Sequence, residues 1–252
     1  MRFPIFDFQT GTFDVGRFGR SPIALHASFF LIALALTAQF WRLFTLTGLA
    51  LTVVGIVVVF ASVLIHELAH AVFARRYRIP VSRIDIHFFG GTVRFGWRPA
   101  RLSQDLALTF AGPASNLILA ALCYLLLLQL TDAAPRMVQY GSSMIQMGFE
   151  PPSLFERVVR FALYINLGFG IFNMLPAFPL DGGWIAYRVL TNCFSRRMAG
   201  MVVGSLGLVL ASLSALAFVG AMLTGTAIFA PPNFHANLEA LRTARRGDPI
   251  LI

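Results

Sequence analysis

The chain has 252 residues, of which 57% are hydrophobic and only 12% charged, about half the charged share of an ordinary soluble domain. Mean hydropathy of +0.74 and long apolar runs exclude a soluble globular domain and indicate an integral, multi-pass membrane protein. All 20 basic residues are arginine and the net charge is +9. They lie between and beside the apolar runs, as membrane anchors do, which makes the lipid bilayer the expected partner and excludes nucleic acid.

At about 20 apolar residues per crossing, the first span is expected over residues 23–41, too far into the chain for a removable signal. The second covers residues 48–74. Further spans are expected over 106–130, 155–174 and 198–229, with a short helical piece over 182–192. The reading is an all-α polytopic fold of about six transmembrane segments. It forms one domain over 1–252: an N-terminal span in 1–47, a catalytic core in 48–192, a C-terminal span in 198–229 and a short basic tail in 230–252. That tail carries Arg242, Arg245 and Arg246 and is expected at the cytoplasmic surface. Cys123 and Cys193 have no metal-type spacing and are read as packing residues.

Inside the second span stands His66-Glu67-Leu68-Ala69-His70. Residues four apart share a helix face, so His66 and His70 can grip one metal ion while Glu67 points beside it toward a metal-bound water. Ionisable groups cost several kcal/mol each at membrane depth, a heavy load for a helix with no use for them. A catalytic zinc takes three protein ligands. Asp181 is the candidate third, because it follows Asn173 through Pro176 and Pro179 and precedes two glycines, a backbone break that membrane protein tolerates only beside a cavity or buried protein. The competing reading is an interfacial turn with Asp181 capping the next helix.

These elements resemble the site-2 proteases, intramembrane zinc metalloproteases. The HExxH helix is followed by Gly112, Pro113 and Asn116 in a Gly-Pro-x-x-Asn element, then by the Asn-x-x-Pro-x-x-Pro-Leu-Asp-Gly segment from Asn173 to Gly182. Residues 81–95 resemble the family's ribbon with a central Phe-Gly-Gly, which adds a short membrane-associated β-ribbon, centred on Gly90 and Gly91, to the expected fold. The resemblance covers roughly residues 60–190. It implies one Zn2+ per chain held by His66, His70 and Asp181, with Glu67 as general base activating the zinc-bound water. The implied substrates are single-span, membrane-tethered regulatory proteins, with a regulatory membrane partner in the absence of the PDZ or cystathionine-β-synthase-type modules that many members carry. Transporter and catalytically inactive client-binding readings compete, but the ionisable residues converge on one metal-shaped cluster and Glu67 is present.

Other residues admit two readings each. Asn173 could serve the oxyanion or the substrate backbone, or simply end its helix. The ribbon at Gly90 and Gly91 could capture an unwound substrate strand, or only pack as a hairpin. Asn116 and Pro113 are expected to support helix contacts near the site; His26 is read as interfacial with a structural partner and His87 as facing solvent. Arginine placement puts the amino terminus and the loop with Arg75, Arg76, Arg78, Arg83, Arg94, Arg98 and Arg101 in the cytoplasm, so the active site faces that side of a bacterial or archaeal cell membrane. Arg188, Arg196 and Arg197 would then fall outside if residues 182–192 crossed fully.

Overall fold

A computed structural model describes residues 6–7, 10–38, 45–88, 90–130, 135–140, 143–149, 152–224, 233–248 and 250. The chain opens with strands β1 (Phe6–Asp7), β2 (Thr12–Phe18) and β3 (Ser21–His26), then helices α1 (Phe29–Ala38) and α2 (Leu46–Arg76). Strands β4 (Val81–His87) and β5 (Gly90–Phe95) form the expected ribbon, and α3 (Leu102–Leu130) follows. Beyond it come the hairpin β6 (Pro135–Tyr140) and β7 (Ser143–Phe149), then α4 (Leu154–Asn173), α5 (Asp181–Cys193), α6 (Arg196–Thr224) and α7 (Phe234–Arg246).

The all-α expectation needs correction, since the ribbon is only part of a five-stranded sheet in the order β1-β2-β3-β4-β5. Residues 23–26, assigned to a first span, are strand. Ile23 and Leu25 pair in parallel with Ile84 and Ile86, and the Ser21 hydroxyl donates to the Val81 carbonyl at 2.6 Å. Alternation explains the switch: Ile23, Leu25, Ile84, Ile86 and Val93 are buried in one core with Phe29 and Val59, while His26, Arg83, Asp85 and Arg94 share the opposite, polar face. On that face Asp85 pairs with Arg83 at 2.5 Å, Arg94 at 3.0 Å and His26 at 3.5 Å.

Among the described residues three helices are long and apolar enough to cross a membrane: Leu46–Arg76, Leu102–Leu130 and Arg196–Ala217. The ends of the first and last expected spans, Trp41 and Phe229, lie outside the described residues. Helix α2 starts at Thr45, whose hydroxyl accepts from the Gly48 N–H at 3.0 Å, and ends in Arg75 and Arg76, which complement the helix dipole. Arg75 then reaches back to the Phe18 carbonyl and stacks 3.8 Å from the Phe18 ring centre, tying the sheet to the end of α2.

Helix α5 returns to the ribbon end of α3. Arg188 pairs with Asp105 in the first turn of α3 at 2.5 Å, and Arg98, just after β5, meets the other Asp105 oxygen at 3.2 Å. Arg98 also donates to the Thr109 hydroxyl and lies 4.5 Å over the Trp184 ring. The 230–252 tail is not merely superficial: α7 buries Ala236, Asn237, Ala240 and Ala244.

Asp105 is fully buried between two partly exposed guanidinium groups. Asp105→Ala leaves both cations without their partner, a loss of roughly 2 kcal/mol after allowing for the solvent that reaches the arginines. A lowered unfolding midpoint in detergent is the expected outcome; an unchanged midpoint would mean that the pairs are screened.

Candidate active site

Helix geometry places His66 and His70 on one face of α2, and the structure brings α5 opposite them. Asp181 Oδ2 lies 3.1 Å from His66 Nε2 and 3.4 Å from His70 Nε2, and the two Nε2 atoms are 3.2 Å apart. Both histidines are buried. The opposite ring nitrogens fix their tautomers. His70 Nδ1 lies 2.8 Å from the Leu108 carbonyl, which can only accept, so Nδ1 carries a proton and the neutral ring presents its lone pair at Nε2. His66 Nδ1 donates likewise to Asn116 Oδ1 at 2.6 Å.

Asn116 is held in that orientation by what its Nδ2 donates to: Asn166 Oδ1 at 2.8 Å and the Ser62 carbonyl at 3.2 Å. Asn166 in turn donates to the Ser62 hydroxyl at 3.0 Å and the Ala162 carbonyl at 2.9 Å. One buried amide chain thus crosses α2, α3 and α4 and ends on a candidate ligand. Pro113, in the next turn of α3, supplies no N–H and displaces the carbonyl four residues back, loosening the helix beside the Leu108 acceptor.

Two imidazole Nε2 atoms and a carboxylate oxygen therefore converge, and His66, His70 and Asp181 form the metal-competent cluster found among the described residues. Tetrahedral coordination at about 2.0–2.1 Å separates neighbouring ligand atoms by roughly 3.3–3.4 Å, close to the observed spacings. Space is reserved too. A Cβ at Gly112 would lie 2.3 Å from His70 Nε2 and 2.6 Å from His66 Nε2. These residues fit a zinc ion.

Glu67 is buried beside the cluster and lies under the sheet, where a Cβ at Gly91 would come within 2.4 Å of its Oε1. A side chain at position 91 would displace the Glu67 carboxylate, and Gly90 has φ +116°, a value that favours glycine. The Asp181 side needs glycine as well: Cβ atoms at Gly182 and Gly183 would strike the Met174 carbonyl and the Ala177 backbone at 2.2 and 2.6 Å. The loop through Pro176 and Pro179, with a cis Phe178–Pro179 bond, therefore folds directly over the first turn of α5.

Of the residues singled out by sequence, Asn173 turns away, donating to the Phe169 carbonyl of its own helix at 3.1 Å; the carboxamide that touches the cluster is Asn116. His26 has Asp85 as its structural partner. His87 does not simply face solvent. Its ring meets that of His26 edge-on at 6.1 Å, and burial, followed by the His26 charge, holds its pKa below the ordinary value. An unfolded chain would take that proton first, so this contribution to stability is lost as pH falls. Asn166 was not found by sequence reading; its only signal was an amide at mid-helix in an apolar run.

A buried His-His-carboxylate cluster with a second carboxylate beside it, built into apolar helices, defines a metallopeptidase-type centre in a membrane protein. The family model Peptidase family M50 matches residues 54–214. The chain belongs to that family, the site-2 protease family. It is 32% identical over 181 residues to Rip3 of Mycobacterium tuberculosis, named as a zinc metalloprotease, across 68% of this chain and 41% of that protein. A similarly named Synechocystis protein is 25% identical across 79% of this chain and 49% of its own length. The chain thus spans about half or less of these relatives. The solved site-2 protease from Methanocaldococcus jannaschii superposes with a TM-score of 0.58 at 19% identity, covering 96% of this chain and 97% of that one, which establishes the fold.

Gly112→Ala is the most direct test of the metal position, because its methyl group would occupy the space between the two Nε2 atoms. Zinc content should fall close to zero with helical circular dichroism preserved. Full zinc occupancy in that variant would move the metal elsewhere.

Proposed function

We propose that the chain is a multi-pass intramembrane zinc endopeptidase that cuts peptide bonds in or near transmembrane segments of membrane-tethered regulatory proteins. The observation that carries this reading is the convergence of His66, His70 and Asp181 next to Glu67, which itself lies against Gly91 of an edge strand. One zinc ion held by the three ligands would supply Lewis acidity toward a scissile carbonyl and a lower pKa for the attacking water. Glu67 takes the proton of that water and returns it to the leaving amine, a role for a carboxylate that is not itself a ligand. Asn116 and Leu108 engage the Nδ1 atoms and so aim both Nε2 atoms at the site. Asn173 could assist the oxyanion only after leaving its bond to Phe169.

A transmembrane substrate hides its peptide bonds in helical hydrogen bonds and must unwind. Strand β5 ends the five-stranded sheet and carries Gly91 against Glu67. A strand added to its free edge would gain main-chain hydrogen bonds and pass beside the catalytic carboxylate. Gly90 and Gly91 are the proposed substrate-contact residues.

The sheet also bears on topology. Strand β3 leads into α1 and pairs with β4, which leaves α2; this supports a path in which the chain goes out and returns between them, with both strands on one side. The ion pair between Arg188 and Asp105 supports the same side for the end of α5, so Arg188, Arg196 and Arg197 join the ribbon arginines. Residues 182–192 then do not cross. The charge rule makes that side cytoplasmic, with the substrate and any regulatory partner in the same bilayer.

Two outcomes test this reading. Glu67→Gln should retain zinc and fold while cleavage falls roughly 10²–10⁴-fold; wild-type cleavage in that variant removes Glu67 as base. Proline placed singly along β5 removes one main-chain donor each time, so at edge-facing positions it should slow cleavage of an intact transmembrane substrate more than of an extended soluble peptide. Equal effects on both substrates would argue that the strand only packs.

A further inference from the structure

Helix α7 has a second role that the sequence of a basic tail does not suggest. It runs antiparallel to α6: Asn237 lies against Gly204 and Gly207, whereas Ala244 and Ile250 lie against Gly200. The fit is close because α6 offers glycines and α7 offers Ala236, Ala240 and Ala244, all buried. Asn237 sits at the upper end of this contact and is fully buried. Its Nδ2 donates to the Phe178 carbonyl at 2.6 Å and to the Asn233 carbonyl at 2.9 Å, and its Oδ1 accepts from the Phe178 N–H at 2.9 Å.

Phe178 is three residues before Asp181, in the loop that delivers the carboxylate. The loop's own bonds run from the Ala177 N–H to the Leu175 carbonyl and from the Leu180 N–H to the Ala177 carbonyl; neither uses Phe178. One side chain therefore satisfies both peptide groups of this buried residue, where no water would replace it. The ring of Phe178 is packed against Trp184, Tyr187, Ala199 and Val203, so the grip holds the loop between α5 and α6. Gly207 makes the approach possible, since a Cβ there would lie 1.8 Å from Asn237 Oδ1.

We propose that Asn237 is a positioning residue for the metal centre: through Phe178 it fixes the loop that aims Asp181 at the two histidines, which makes α7 part of the catalytic unit. This rests on the reading of Asp181 as a zinc ligand. Asn237 does not touch the metal ligands, and its effect passes through the loop backbone.

The test uses the full chain in detergent with zinc, and separately Co2+, as the probes. Zinc affinity is measured by competition with a chelator, ligand geometry by the visible absorption of the Co2+ form, and unfolding by circular dichroism. Asn237→Ala removes all three bonds, and Asn237→Asp keeps the acceptor for the Phe178 N–H while losing the donor to its carbonyl. Both should bind zinc roughly 10- to 100-fold more weakly and alter the Co2+ spectrum at temperatures where they remain folded. Gly200→Ala, which crowds Ala244 and Ile250 away from the loop, should lower the unfolding midpoint without changing either metal readout. Wild-type affinity and spectrum in folded Asn237 variants would overturn the proposal, as would failure of both variants to fold, which would make the side chain a folding requirement. Asp181→Ala separates the two readings. If it keeps zinc, the ligand assignment itself fails; if it loses zinc while the Asn237 variants do not, only the positioning role fails.

Discussion

Three acceptor atoms facing one another in a buried site are the constraint around which this molecule is organised. His66 Nε2, His70 Nε2 and Asp181 Oδ2 stand 3.1–3.4 Å apart, with each Nδ1 engaged by its own partner. That arrangement takes two imidazoles and a carboxylate out of water at once, which is costly in a buried site. It persists only where the surrounding structure holds each donor from behind. Leu108 and Asn116 do this for the histidines, and the loop gripped by Asn237 stands behind Asp181. Gly112 leaves the volume between them open.

The same constraint accounts for the irregular parts of the fold. A helix passing straight through residues 173–183 would carry Asp181 along a fixed spiral; the proline loop instead folds back on the start of α5, with Gly182 and Gly183 giving the backbones room. Backbone freed at such a break must find partners within the protein. Asn237 supplies them for Phe178 from 59 residues away in the chain, while the cluster of Phe178, Trp184 and Tyr187 seals the loop against α6. Binding energy for a metal and satisfaction of backbone polar groups are thus met by one set of contacts.

Local patterns made part of this legible in the sequence. An i,i+4 histidine pair declares a shared helix face, and proline followed by glycine declares a break, so α2 and Asp181 could be located without coordinates, while the ribbon was expected from resemblance. The Gly-Pro-x-x-Asn element pointed to Asn116 by resemblance. What remained hidden was long-range. Residues 23–25 are apolar enough to begin a span, and nothing local says that they pair in parallel with Ile84, Asp85 and Ile86 of β4, far along the chain. Asn166 and Asn237 are single amides whose partners lie 50 and 59 residues distant. Asn173 lay in the motif itself, yet its short side chain reaches its own helix first, an option open to any mid-helix amide.

The sheet links the metal centre to the polypeptide it would act on. Its polar face is tied together by Asp85, its apolar face packs on the α1–α2 pair, and its free edge is β5. Glycine at position 91 is required by Glu67, which leaves no volume for a side chain between carboxylate and strand. The absence of that side chain also exposes main chain at the one place on the edge nearest the catalytic carboxylate. A substrate recognised there would be read through backbone hydrogen bonds, so what selects it is the ability to unwind more than the identity of its residues. Helix stability in the substrate, set by glycine, proline and β-branched content, then becomes the property that the bilayer and the sheet edge together discriminate.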